Sequence, residues 1–178
     1  MTKQTLPGMR GLQHFGLTVP NLKDAVDFFV DVLGCEPYFR FGAFKFDDDW
    51  MKEHLNVHPR AEIKDFQMVR CGNGTNLEIF EYSAPEQKRQ PPLNSDVGGH
   101  HLAFYVDDMD AAVAFLKSKN VRVLGEPSTF TEGPATGLTW VYFLTPWGLQ
   151  LEMVSFPNGM AYGEAQQRLL WDPRFPAL

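Results

Sequence analysis

The sequence has few cysteines and no long apolar run. Its two cysteines, Cys35 and Cys71, allow at most one disulfide in 178 residues, and their spacing matches no disulfide framework or metal clip. No stretch approaches the ~20 apolar residues that span a bilayer, and residues 1–7 lack the apolar core of a signal peptide. We therefore expect a cytoplasmic protein with reduced thiols and no membrane partner.

Basic residues are also scarce. The chain holds 16 Lys and Arg against 22 Asp and Glu, for a net charge of −6, and the basic residues form no cluster. Because nucleic acid backbones are bound through clustered Lys and Arg, we expect no nucleic acid partner. The 44% of hydrophobic residues, with 15 phenylalanines, instead predicts a folded core. The length fits one domain or two small halves.

The chain repeats itself. At an offset of 87 residues His14–Leu22 (HFGLTVPNL) matches His101–Met109 (HLAFYVDDM), and at an offset of 74 Gly74–Ile79 matches Gly148–Met153. The difference between the offsets places about thirteen extra residues in the first half, which we assign to 47–62. A duplicated supersecondary unit is the simplest explanation.

The residue pattern of each half predicts elements in the order βαβββ. Residues 12–19 alternate as a half-buried strand does, and a helix follows from the N-cap Asn21 to Gly34. Asp108 caps the matching helix of the second half. The remaining strands are predicted at 37–46, 63–71, 75–82, 121–130, 138–145 and 148–155.

The domain division follows from these elements. An N-terminal extension precedes the first module, an aperiodic linker rich in Pro, Gln and Asn joins the modules, and a tail ends the chain. The tail is expected to pack across the domain or a second subunit. The predicted segments are 1–11 for the extension, 12–82 and 98–156 for the modules, 83–97 for the linker and 157–178 for the tail.

Strand parity places four polar side chains on the sheet faces that point away from the helices. His14 and His101 are out of phase with the apolar residues of their strands, which should face the helices. Glu78 and Glu152 are out of phase in the same way. By the same test His100 and Glu81 share the helix-facing side. Two histidines and two glutamates are therefore predicted on the non-helical faces.

These segments resemble the vicinal oxygen chelate superfamily, which includes glyoxalase I, methylmalonyl-CoA epimerase, extradiol dioxygenases and bleomycin and fosfomycin resistance proteins. The resemblance covers about 12–156 and rests on four signatures in order, which are HFGLTVPNL, NLEI at 76–79, HLAFYVDD and TPWGLQLE at 145–152. It implies an α+β fold in which two tandem βαβββ modules form an eight-stranded cup around a metal. It also implies a homodimer.

Carried over by position, the resemblance implies the metal ligands His14, Glu78, His101 and Glu152. Two imidazoles and two carboxylates suit one divalent transition metal, which would be Zn, Ni, Co, Mn or Fe(II). A small carbonyl or thioester substrate chelated there would be enolised by a lyase or isomerase of glyoxalase or epimerase type. We expect Glu152 to act as the base and Glu78 to return the proton.

Two alternatives stay open. An Fe(II) extradiol-type dioxygenase would suit an aromatic substrate, but such enzymes use two histidines and one carboxylate. A non-catalytic bleomycin-resistance-like binding protein would lack the ligands. Thr18 stands where the bacterial glyoxalase signature has an arginine that holds glutathione, so glutathione is not favoured.

Other residues have weaker patterns. His54 and His58 have the i, i+4 spacing of a zinc pair, but they lie in the extra segment beside three aspartates, where a mobile, solvated loop is expected, with a substrate lid as the alternative. Tyr82 is in phase with Glu78 and could contact substrate. A set of aromatic residues could line a substrate cavity or form core, namely Phe39, Phe41, Phe44, Phe46, Trp140 and Tyr142.

Overall fold

The computed structural model describes residues 6–166 and 169–176, and the chain divides into two compact units, Met1–Ala84 and Pro85–Leu178. In the part described, no helix is long and apolar enough to cross a membrane. Each unit contains a four-stranded sheet with helices, so the α+β fold with two βαβββ modules and eight strands is confirmed.

The first unit builds its sheet in the order β1-β4-β3-β2. β1 pairs with β4 in parallel, and the other neighbours are antiparallel. Helix α1 follows β1 and continues as a π-helical segment, Phe28–Val32, which the periodicity does not distinguish from α-helix. The elements are β1 His14–Val19, α1 Leu22–Asp27, β2 Glu36–Arg40, α2 Asp48–Leu55, β3 Glu62–Arg70 and β4 Asn76–Ser83.

The second unit repeats this topology in the order β5-β8-β7-β6, with β5 and β8 parallel. A short 3₁₀ helix, Ala161–Ala165, follows the sheet. The elements are β5 Leu102–Tyr105, α3 Met109–Ser118, β6 Arg122–Thr129, β7 Thr139–Leu144 and β8 Gln150–Ser155.

Caps and buried residues explain why the helices form where they do. Asn21 and Asp108 are the N-caps as predicted, and their side chains accept hydrogen bonds of 2.9 Å from Asp24 N and Ala111 N. Each helix buries apolar residues with those of its own sheet. The buried set includes Leu22, Ala25, Phe29, Leu77 and Ile79 in the first unit and Val113, Leu116, Val141, Phe143 and Leu151 in the second.

The extra segment of the first half is not a solvated loop, and this expectation was wrong. Residues 48–55 form α2, with Asp47 as N-cap at 2.9 Å from Trp50 N, and Met51 is fully buried. The three aspartates, which suggested a solvated loop, occupy the N-cap and first turn, where negative charge stabilises a helix.

The second strand is shorter than predicted. It ends at Arg40 rather than at residue 46. Gly42 has φ of 91° and donates its N–H to Asp65 Oδ1 at 3.0 Å, so the chain leaves the strand there. Phe44 returns to β3 only through an isolated bridge to Ile63.

Candidate active site

The first unit brings His14 and Glu78 together. They lie on adjacent parallel strands, and His14 Nε2 is 3.4 Å from Glu78 Oε2. The side chains are 44% and 25% exposed, so both reach an accessible surface. The His14 Nδ1 atom lies 2.5 Å from Gln13 Oε1.

The second unit brings His101 and Glu152 together. His101 directly precedes β5, and its Nε2 atom lies 3.1 Å from Glu152 Oε2. The Nδ1 atom of His101 lies 3.1 Å from Asn94 Oδ1. Glu152, at 13% exposed, is more buried than Glu78.

The two pairs have the same strand register. Glu78 is opposite Gly16, two residues after His14, and Glu152 is opposite Ala103, two residues after His101. Each carboxylate therefore meets a histidine diagonally across a parallel strand pair, beside a position with little or no side chain. The duplication seen in the sequence extends to the geometry of the polar pairs.

The donor atoms of each pair suit a divalent metal. An amide oxygen only accepts hydrogen bonds, so it favours the tautomer of each histidine with hydrogen on Nδ1, which directs the Nε2 lone pair at a carboxylate oxygen. Two acceptors face each other stably only with a cation or an extra proton between them. Metal–ligand bonds of about 2.0–2.2 Å place neighbouring ligands about 2.8–3.6 Å apart for angles from about 90° to tetrahedral, a range that includes both separations.

Each pair lies within one unit. Among residues 6–166 and 169–176, no group of three or more His, Cys, Asp or Glu side chains is placed to hold a metal. The structure thus joins the predicted ligands two by two, and the four-ligand set stays a prediction.

A tyrosine accompanies each glutamate. Burial, together with the Glu78 charge, raises the pKa of Tyr82, and burial and the Glu152 charge raise that of Tyr142, which lies opposite Glu152. Burial also raises the pKa of the Glu152 carboxyl, although the neighbouring His101 opposes the rise. A carboxylate with a raised pKa is a stronger proton acceptor.

The two residues assigned to the helix-facing side by parity make other contacts. Glu81 Oε2 accepts a hydrogen bond of 2.8 Å from Leu22 N at the start of α1. The His100 ring Nδ1 lies 3.0 Å from the Gly98 carbonyl oxygen. The contact of Glu81 confirms that it faces the helix.

His54 and His58 do not share one helical face. The helix ends at Leu55 because Asn56 adopts a left-handed conformation with φ of 51°. His54 stacks on Trp50 at 4.5 Å between ring centroids, whereas His58 accepts a hydrogen bond from Arg60 N at 3.1 Å. The i, i+4 spacing therefore makes no zinc pair.

Aromatic rings extend from the Glu78 face of the first unit. Phe80, two residues after Glu78, contacts Phe66 at 5.0 Å, and Phe66 stacks on Phe41 at 5.2 Å. Phe41 is 65% exposed, whereas Phe66 and Phe80 are half-buried, so this set is accessible at the Phe41 end. In the second unit Trp140 contacts Tyr142 at 5.1 Å.

Sequence reasoning missed the amide partners of the histidines. Gln13 precedes His14 directly, so its place in the chain was a usable signal. Asn94 lies in the aperiodic segment 83–97, where no pattern marked it. Within the second unit, the tail packs through Arg174, whose guanidinium lies 4.9 Å from the Tyr105 and Phe156 ring centroids.

The sequence matches one family model and is similar to two individual proteins. The sequence model of the Glyoxalase/Bleomycin resistance protein/Dioxygenase superfamily matches residues 13–142. A 2-epi-5-epi-valiolone epimerase from Actinomyces sp is 45% identical over 174 residues, 97% of this chain and 94% of that protein. The uncharacterized protein YaeR from Escherichia coli K12 is 39% identical over 77 residues, covering 43% of this chain and 55% of that protein.

Solved structures agree on the fold. A glyoxalase family protein from Bacillus cereus matches with a TM-score of 0.65 at 17% identity, covering 87% of this chain and 97% of that one. The fosfomycin resistance protein FosX from Listeria monocytogenes matches with a TM-score of 0.54 at 15% identity, covering 83% of this chain and 93% of that one.

The similarity to the epimerase supports the assignment of this chain as an isomerase. The chain belongs to the glyoxalase, bleomycin resistance protein and dioxygenase superfamily and is an enzyme of it.

Proposed function

We propose that the chain is a divalent-metal-dependent epimerase that inverts a carbon next to the carbonyl of a polyhydroxylated cyclic ketone. The observation that carries the proposal is the pair of His–Glu contacts in identical register. The substrate class is supported by the similarity to the 2-epi-5-epi-valiolone epimerase over nearly the whole chain.

His14, Glu78, His101 and Glu152 would hold one ion of Zn, Ni, Co, Mn or Fe(II). When bound, the ion supplies Lewis acid polarisation of the substrate carbonyl, which acidifies the neighbouring C–H. The imidazole and carboxylate donors are of the types these metals accept.

Glu152 acts as the base in this proposal. It removes the proton from the carbon next to the carbonyl, and the electron pair of that C–H bond passes into the enolate. Glu78 would leave the ion, take up a proton from solvent and return it to the opposite face of the same carbon, which inverts its configuration. The raised pKa of Glu152 supports its role as acceptor.

We also propose that the enzyme acts on a small molecule as a homodimer in the cytoplasm. The support for a reducing compartment is chemical. The chain has only two cysteines, Cys35 and Cys71, and so at most one disulfide in 178 residues, as is usual for proteins of reducing compartments.

The test is metal analysis of protein purified without chelators, followed by reaction with 2-epi-5-epi-valiolone in D₂O. Wild type is expected to hold about one metal per chain and to exchange the hydrogen next to the carbonyl with solvent while forming the epimer. His14→Ala and Glu78→Ala should lose most of the metal, whereas the exposed Glu53→Ala should keep it.

Three results would contradict the proposal in different ways. Metal retained by Glu78→Ala but lost by His14→Ala would indicate the two-His, one-carboxylate set of an Fe(II) oxygenase, to be checked by oxygen consumption with a catechol. Absence of metal after incubation with all five ions would refute the metal site. Metal binding without hydrogen exchange would refute the substrate class.

A further inference from the structure

The segment before His101 forms a hydrogen-bonded turn. Leu93 N donates to Asp96 Oδ2 at 2.9 Å, Asp96 N donates to Leu93 O at 2.9 Å, and Gly99 N donates to Asp96 O at 2.7 Å. A Cβ at Gly99 would lie 2.2 Å from Leu93 O, so only glycine permits this approach. The turn holds Asn94 at a fixed place beside the second sheet.

Asn94 uses both ends of its side-chain amide. Its Oδ1 atom lies 3.1 Å from His101 Nδ1, and its side chain also forms a hydrogen bond with the Tyr142 phenol. Because the amide oxygen lies at His101, the amide nitrogen is the end that is left for Tyr142. The two contacts together fix the orientation of the amide.

We propose that Asn94 is a positioning residue that holds His101 with hydrogen on Nδ1 and the Nε2 lone pair directed toward Glu152. The inference rests on the proposed metal site, since its purpose is to keep His101 ready to bind an ion. It goes beyond the ligand set because Asn94 contacts His101 without being one of the four proposed ligands.

The alternative hydrogen position shows why a positioning residue is needed. With hydrogen on Nε2, the ring donates a hydrogen bond to Glu152 at the observed separation of 3.1 Å. Nε2 then has no lone pair to offer to a metal ion. An acceptor at Nδ1 stabilises the other form, in which both atoms stay free for an ion. Partners of this kind are worth about tenfold to a hundredfold in metal affinity.

The experiment measures affinity for Zn and Co in the full chain by chelator competition. Asn94→Ala should weaken binding by about tenfold to a hundredfold, because nothing replaces the acceptor at Nδ1. Asn94→Asp should restore binding to at least the wild-type level, since a carboxylate accepts the same hydrogen. Ser95→Asp adds the same charge to the neighbouring exposed position and should not strengthen binding as Asn94→Asp does.

A spectroscopic readout accompanies the affinities. In the Co-loaded protein the paramagnetically shifted Nδ1–H signal of His101 should be sharp in wild type and broadened by solvent exchange in Asn94→Ala, with the His14 signal unchanged. Equal affinities and equal signals in wild type and Asn94→Ala would overturn the inference while leaving the metal site intact. A wild type that binds no metal would overturn both.

Discussion

Two glutamates three residues apart on β4 should respond to substitution in opposite ways. Glu81 accepts a hydrogen bond from Leu22 N at the start of α1, whereas Glu78 faces His14 on the other side of the sheet. A hydrogen bond to a charged acceptor contributes about 1.5–3 kcal/mol, and Leu22 is buried, so its N–H loses its partner in Glu81→Ala. For a chain of this length each kcal/mol shifts Tm by about 2–4 °C, so we expect a fall of about 3–12 °C.

The assay is thermal unfolding of metal-free protein, with Glu78→Ala as the matched variant. Glu78→Ala should change Tm by less than Glu81→Ala does, because its carboxylate bonds to no backbone group of a helix. Metal binding should show the reverse order, with loss in Glu78→Ala and retention in Glu81→Ala. If Glu78→Ala is the more destabilised or Glu81→Ala the more impaired in metal binding, the assignment of faces is wrong.

Three further predictions concern other parts of the chain. Met51→Ala should lower the free energy of unfolding by about 2–5 kcal/mol in denaturant titrations, because the side chain is fully buried, whereas the exposed Lys52→Ala should have little effect. Burial favours the protonated form of Asp65, but the Arg40 guanidinium and the Gly42 N–H hold the pKa of Asp65 below its usual value. Its stabilising contribution is therefore present at neutral pH and lost as the pH falls below about 4, so the Tm difference between wild type and Asp65→Asn should shrink there. Glu152→Gln should slow hydrogen exchange at the substrate by about 10²- to 10⁴-fold, and an unchanged rate would exclude it as the base.

The repeat and the strand periodicity were enough to predict the βαβββ order of each module. Offsets of 87 and 74 located both modules and the extra segment, and the N-caps Asn21 and Asp108 were read directly from the sequence. Parity also separated Glu78 from Glu81, which the contact of Glu81 with Leu22 N confirms. These features succeed because periodicity and capping depend on near neighbours in the chain.

The failures occurred where distant contacts decide the structure. α2 contains few apolar residues, and what identifies it as a packed helix is the burial of Met51, which depends on tertiary structure. β2 ends early because Gly42 bonds to Asp65, 23 residues away. Asn94 reaches His101 only through a turn whose shape depends on the approach of Gly99 to Leu93 O.

The small residues opposite the two glutamates have a consequence for how substrate range can evolve. Gly16 has no positive φ, and a Cβ there would meet nothing within 4 Å, so neither the backbone nor packing requires glycine. Glycine inside a strand is otherwise unfavourable and marks a place where something approaches closely. At Gly16, and at Ala103 in the second module, single substitutions can therefore change the space in front of a glutamate while leaving the strands intact. Relatives with larger or smaller substrates are expected to differ at these two positions before they differ in fold.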